Sequence, residues 1–316
     1  MSVSRGIPES LVQLVSELQT QLNFQPAEDR LVLPRAVLIA PGEAAPDEFW
    51  SAYQALIAGQ PSVPYTVYLP ACQAYHAELP ARLVCCLGDN LTVFEAAGRE
   101  VRRTCFPLAD LHYIETGRVL LYSWLRIYGR TAEGAAAAAG LEFNTVTDYV
   151  VKPLIDWARS IEPGQRPASA PTERSDFDYL RGPNLKLANY ARRSVAPGGP
   201  LVQQLYQPPI RVPLIGLFGL PLVHRRANAH ILILTGRELI DIQDGAFKRF
   251  GRNAMYGGVW EYILRERIIS AALAETANDL LALTVHLTGD HHLEFLFEPP
   301  VRPQLDELLA RLNPSA

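Results

Sequence analysis

HILILTGRELIDIQDG, residues 230–245, decides how the rest of the chain is read. An apolar run from Ile231 to Leu234 meets a tight turn at Thr235-Gly236. A second run, Leu239 to Ile242, closes on Asp244-Gly245. Short β-prone runs on either side of a glycine turn are the signature of a β-hairpin. A looser copy, RLVCCLGDNLTVFEAAG, lies about 150 residues earlier at 82–98. There Gly88 takes the place of Gly236, Leu91 of Leu239 and Phe94 of Ile242.

The echo continues outward at the same spacing. Tyr113-Ile114 and Arg118-Val119-Leu120 match Tyr262-Ile263 and Arg267-Ile268-Ile269. Glu142-Phe143 matches Glu294-Phe295, and Val151-Lys152-Pro153 matches Val301-Arg302-Pro303. Four segments in order point to one fold written twice, which is the first thing to establish about any chain.

A chain of 316 residues has room for two domains, each with its own core. Its hydrophobic content of 48% and charged content of 20% are those of an ordinary globular protein. A net charge of −4 gives no global attraction to nucleic acid, so any basic surface is local. The four cysteines, Cys72, Cys85, Cys86 and Cys105, contain no CxxC spacing and read as buried free thiols in a reducing compartment. Cys85 and Cys86 are adjacent on an expected strand and should point to opposite faces. MSVSRGIPES is not a signal peptide by its pattern, and the longest near-apolar window, 212–223, is too short to span a bilayer. The expected location is cytoplasmic, with peripheral attachment to a membrane as its variant.

Taken in order, residues 9–22 carry Leu11, Val12, Leu14, Val15, Leu18 and Leu22 on one helical face. Residues 31–40 read as a strand in which Pro34 argues for an edge or a bend. Residues 47–58 form a second helix, with Phe49, Trp50, Tyr53, Leu56 and Ile57 on its apolar side and Gly59 as its stop. Nothing in the second half matches this region, so residues 1–62 are expected to be a helical extension packed on the first repeat. Strands are expected at 65–69, 83–87, 91–95, 101–106, 119–128 and 141–145. VLLYSWLRIY (119–128) reads as one central strand, and the alanine run 135–139 as a loop between Gly134 and Gly140. A helix through residue 161 buries Leu154, Ile155 and Ala158, with Pro153 near its start. Residues 162–176 hold three prolines and almost nothing apolar, which makes them a linker. The second domain, 177–316, opens with a helix carrying Leu185, Leu187, Tyr190 and Ala191 and ends with one carrying Leu305, Leu308, Leu309 and Leu312. The fold class is α+β, mostly β: antiparallel strands in two partial barrels, each closed by a C-terminal helix.

ILILTGRELIDI resembles the LTxRxL hairpin near the start of bacterial pleckstrin-homology-like (PH-like) and GRAM-like domains. The phrases LLYSWLRI, EFNTV and NYAR are similar to those of an uncharacterised bacterial group with two such domains in tandem. The resemblance spans roughly 65–161 and 201–313; the first copy departs from it where Asp89-Asn90 replaces Arg237-Glu238. It implies a first domain over 63–161, a linker over 162–176 and a binding scaffold. It supplies no catalytic residues.

Residue chemistry agrees with a binder. There is no GxSxG, no P-loop and no GxGxxG, so no catalytic residue, cofactor or metal is expected. His286, Asp290, His291, His292 and Glu294 are the densest group of metal-ligating types. Adjacent strand residues diverge, so a solvated turn ranks ahead of a metal-dependent hydrolase. Lys248, Arg249 and Arg252 follow the second hairpin, and Arg225-Arg226 precede it. These five are the candidates for gripping an anionic lipid headgroup. Between 212 and 223, Leu214, Ile215, Leu217, Phe218 and Leu220 are candidates for an interaction loop. The leading expectation is a protein partner or a homo-oligomer, met through that loop, an exposed sheet edge or a groove between repeats; membrane lipid is the alternative, and nucleic acid is not expected.

Overall fold

The computed structural model describes residues 33–74, 77–159, 175–195, 200–214, 222–245, 257–276 and 278–313, together with Gln13. The chain divides into two compact units, Met1–Arg166 and Pro167–Ala316. Both are α+β and mostly β, and their strands pair antiparallel. The helix expected at 9–22 lies, apart from Gln13, outside the described residues.

In the first unit β1 (Val37–Ile39) precedes helix α1 (Asp47–Ile57) and β2 (Tyr65–Leu69). A small hairpin, β3 (Cys72–Ala74) with β4 (Ala77–Leu79), leads to β5 (Arg82–Leu87), β6 (Asn90–Ala97) and β7 (Glu100–Pro107). The pairing order is β1-β2-β5-β6-β7, so β1 is an edge strand, but it begins only at Val37 and does not include Pro34. A 3-10 turn, Leu108–Asp110, passes the chain to β8 (Leu111–Val119), β9 (Tyr122–Arg130) and β10 (Ala136–Asn144), and helix α2 (Asp148–Ala158) follows.

Both faces of this first sheet are buried, which is why β5 reads as an unbroken apolar run. Val84, Cys86 and Val93 face a core shared with Leu125 and Phe143 of the later strands and Leu154 of α2. Leu83, Cys85 and Phe94 face Phe49 and Tyr53 of α1. The adjacent cysteines thus divide between two cores, as strand alternation requires. Burying Phe49 completely contributes about 2–3 kcal/mol to holding α1 down. Helix α1 stops where expected, with Gly59 at φ +71° just past its end.

The second unit repeats this order. Helix α3 (Arg181–Ser194) precedes β11 (Leu201–Gln207). A hairpin, β12 (Ile210–Leu214) with β13 (Leu222–Ala227), is again inserted before β14 (His230–Thr235), β15 (Glu238–Asp244) and β16 (Gly257–Leu264). A 3-10 turn, Arg265–Arg267, leads to β17 (Ile268–Glu275), β18 (Leu281–Leu287) and β19 (His292–Phe297), then helix α4 (Arg302–Leu312). Strands β11, β14, β15 and β16 pair in that order, as do β17, β18 and β19. Among the described residues no pairing closes either set into a complete barrel.

The founding hairpins correspond residue for residue, and in the second the turn is made by a side chain. Thr235 Oγ1 accepts from the N–H groups of Arg237 (3.2 Å) and Glu238 (3.0 Å). Gly236 also lets the chain approach closely: a Cβ there would stand 3.3 Å from Pro200 Cγ, closer than an ordinary contact.

Several expectations need correction. The run 119–128 is not one strand; it spans the end of β8, a turn at Leu120-Leu121 and most of β9. Leu120 sits at φ +54° and is 71% exposed, Leu121 61%, so apolar continuity concealed a hairpin tip. The alanine run is not a loop but the start of β10, paired to β9 from Ala136↔Arg130 onward. Ladder hydrogen bonds and packing on the core override alanine's weak β preference. The middle of the repeat also slips. Tyr113-Ile114 lie on β8, whereas Tyr262-Ile263 lie on β16, whose topological counterpart is β7. The connection after the hairpin is two residues in the first copy (98–99) and far longer in the second (245–256), which moves the true register. Pro153 is in the interior of α2, while Pro303 is in the first turn of α4, so that pair is not equivalent either. Finally, α1 has a counterpart after all: α3 also precedes its unit's first long strand and packs on the hairpin, Tyr190 lying 4.7 Å from Trp260 between ring centroids.

Candidate functional site

The residues singled out for lipid or partner contact fall largely beyond what the structure describes. Lys248, Arg249, Arg252, Ile215, Leu217, Phe218 and Leu220 lie outside the described residues. Arg225 and Arg226 are on β13, where Arg225 stands opposite Arg211 of β12, and Leu214 ends β12 opposite Leu222. Among the described residues no helix is long and apolar enough to cross a membrane.

A feature the sequence did not disclose lies at β17. It is the outer strand of its three-stranded sheet, and its Ala271 stands opposite Val285 of β18. The Ala271 N–H donates to Asn313 Oδ1 at 2.8 Å, and Asn313 Nδ2 donates to the Ala271 carbonyl at 2.8 Å. Both backbone groups of Ala271 therefore point away from β18. In an antiparallel ladder the same direction recurs at every second residue, so Leu273 and Glu275 share it. Asn313 immediately follows α4, whose Arg311 and Arg302 pair with Glu307 and Glu275. A primary amide bonding both groups of one residue copies what a neighbouring strand would do. At Ala271 the edge is thus met by a side chain that mimics peptide, and α4 packs on the same strand.

The second unit also buries charge. Asp241 on β15 is fully buried and stands directly opposite Glu261 of β16, on the face turned away from α3. Gln243 Nε2 donates to Asp241 Oδ2 at 2.7 Å; Oδ1 has no hydrogen-bond partner among the described residues. Burial first, and the facing Glu261 second, push the Asp241 carboxyl well above its usual range, while the Gln243 bond opposes them. The hairpins show what replaced what. Val84 and Val93 pair in the first unit where Leu232 and Asp241 pair in the second, and Thr104 stands where Glu261 does.

Beside this pair, His230 faces Gln243 across β14 and β15, where the first unit has the Arg82–Glu95 ion pair. The His230 ring lies edge-on to Phe297 at 4.9 Å, and its Nδ1 is 3.3 Å from the Asn228 carbonyl. A carbonyl only accepts, so Nδ1 carries the hydrogen. Burial lowers its pKa to about 4, the Asn228 contact acting against the shift. The unfolded chain therefore binds more protons than the folded one below about pH 6.5, and stability falls from there down to about pH 4. His230→Gln is expected to remove about 2 kcal/mol of this acid lability, read by comparing urea unfolding of the two proteins at pH 7 and pH 4.5; parallel pH profiles would contradict it.

Burial raises the thiols of Cys72, Cys85 and Cys86, that of Cys85 to about 12. Among the described residues no group of three or more His, Cys, Asp or Glu is placed to hold a metal ion. No protein-family model matches the chain, and no curated protein matches it.

Proposed function

We propose that this chain is a non-enzymatic binding scaffold of two tandem PH-like, GRAM-like domains, and that its second unit takes an extended segment of a partner protein along β17. The observation that carries the reading is the double hydrogen bond of Asn313 to Ala271. An outer strand with outward N–H and C=O groups is a template for a further strand. Here one rung is occupied by a displaceable amide. The outward groups of Leu273 and Glu275 supply main-chain bonds, and exposed Ile269 (65%) supplies an apolar contact for an incoming side chain. The repeated element order, helix included, is what supports two domains of one kind.

Peptides selected from a displayed random library against the full chain test this. Leu273→Pro removes an outward N–H while leaving the β17–β18 ladder intact, because proline is tolerated on an edge. It is expected to weaken selected peptides by at least about tenfold, one charge-free backbone bond with its desolvation being worth 1–3 kcal/mol. Asn313→Ala, which clears the rung, is expected to strengthen them. Selected peptides indifferent to Leu273→Pro would place binding elsewhere and end the proposal.

A further inference from the structure

Two imidazoles face each other on the open side of the β17–β18–β19 sheet, and we propose that they bind a divalent transition-metal ion. His286 on β18 is directly opposite His292 on β19. The next pair toward the turn carries a ladder bond, Leu287 N–H donating to the His291 carbonyl at 2.8 Å. Antiparallel pairs alternate, so His286 and His292 form a non-hydrogen-bonded pair, the kind whose side chains stand closest. Their ring centroids are 6.2 Å apart, with planes inclined by 43°.

An ion held by two imidazoles at about 2.0–2.1 Å each needs the two ring nitrogens within ~4 Å of one another. Both rings are exposed, and rotation about their side-chain bonds brings them to that separation without moving the strands. The surroundings leave space. Ser270 is the β17 residue opposite His286, Ala272 is opposite Thr284, and Glu294 follows His292 on the same face of β19. His291 immediately precedes His292, in extended conformation, and so turns to the other side of the chain. Asp290 is held in the turn at φ +61°. The five residues that the sequence draws together are therefore not one site; the fold sets His286 and His292 face to face.

With no third protein ligand in place among the described residues, water completes the coordination. Such a site takes ions that favour imidazole, Zn²⁺, Ni²⁺ or Cu²⁺, and not Mg²⁺ or Ca²⁺, which want oxygen. It works only with neutral rings, because a protonated imidazole has no lone pair for the ion, so protons compete with the metal. The inference is independent of partner binding at β17.

Titration calorimetry of the full chain with Ni²⁺ and with Zn²⁺ at pH 7.5 is the test. One ion per chain is expected. His286→Ala and His292→Ala should each lower affinity by more than about tenfold, since even outer-shell partners of bound imidazole are worth 10–100-fold. His291→Ala should leave it unchanged. On the unaltered protein, Zn²⁺ should shift the histidine ring resonances of His286 and His292 alone. The inference is overturned by an absence of saturable binding, by binding that survives both substitutions, by loss of binding in His291→Ala, or by equal affinity for Mg²⁺.

Discussion

Asp241→Asn is expected to make the second unit more stable at pH 8 by about 2 kcal/mol and to leave it unchanged at pH 4. Asp241 is fully buried opposite Glu261, and its carboxyl holds a proton beyond the usual range. The folded state then binds more protons than the unfolded state, so stability is complete below about pH 4 and drains away as pH rises toward the folded-state value. Asparagine keeps the shape and still accepts from Gln243. It cannot ionise, so the loss disappears. The first unit shows that the fold does not need an acid there, since it places Val93 at the same point of the hairpin. Trp260, the second unit's one tryptophan, reports the transition in urea. A variant that is less stable than the parent at pH 8, or equally stabilised at both pH values, would show that Asp241 is not a proton-holding liability.

Gly117→Ala is expected to destabilise the first unit by about 3 kcal/mol, a melting shift of roughly 6–12 °C for a unit of this size. Gly117 of β8 is directly opposite Trp124 of β9, and the indole lies across the glycine. A Cβ at 117 would stand 2.0 Å from Trp124 Cζ2, so the ring has to leave. It is poorly placed to do so. Trp124 is buried, and its Nε1–H donates to Glu115 Oε1 at 2.7 Å. That oxygen also accepts from Arg126 at 3.0 Å. Shortening the indole should relieve the clash, so Gly117→Ala combined with Trp124→Leu should cost much less than the two changes summed. Additive costs, or a Gly117→Ala melt matching the parent's, would mean that the ring does not pack on the glycine as described.

Much of the architecture was legible because it rests on local pattern. Short apolar runs on either side of a turn marked β5, β6, β14 and β15, and helical spacing marked α1, α2, α3 and α4. The duplication was legible for the same reason, since each founding hairpin carries its own turn. Register in the middle of each copy was not, because period-two patterns look alike after any even slip and only paired backbones choose between them. The hairpin tip at Leu120-Leu121 was hidden by its own hydrophobicity, and β10 by its alanines.

Local sequence thus determined that this protein is a mostly β chain with one element order used twice, each copy ending in an amphipathic helix. Tertiary structure alone decided which side chains meet. Asn313 reaches Ala271 across 42 residues of chain, His286 finds His292 and not His291, and Asp241 faces Glu261 where the other copy has Val93 and Thr104. Periodicity is written in neighbouring residues, whereas contacts across strands depend on register and loop length, which are settled only when the sheets bury their apolar faces together.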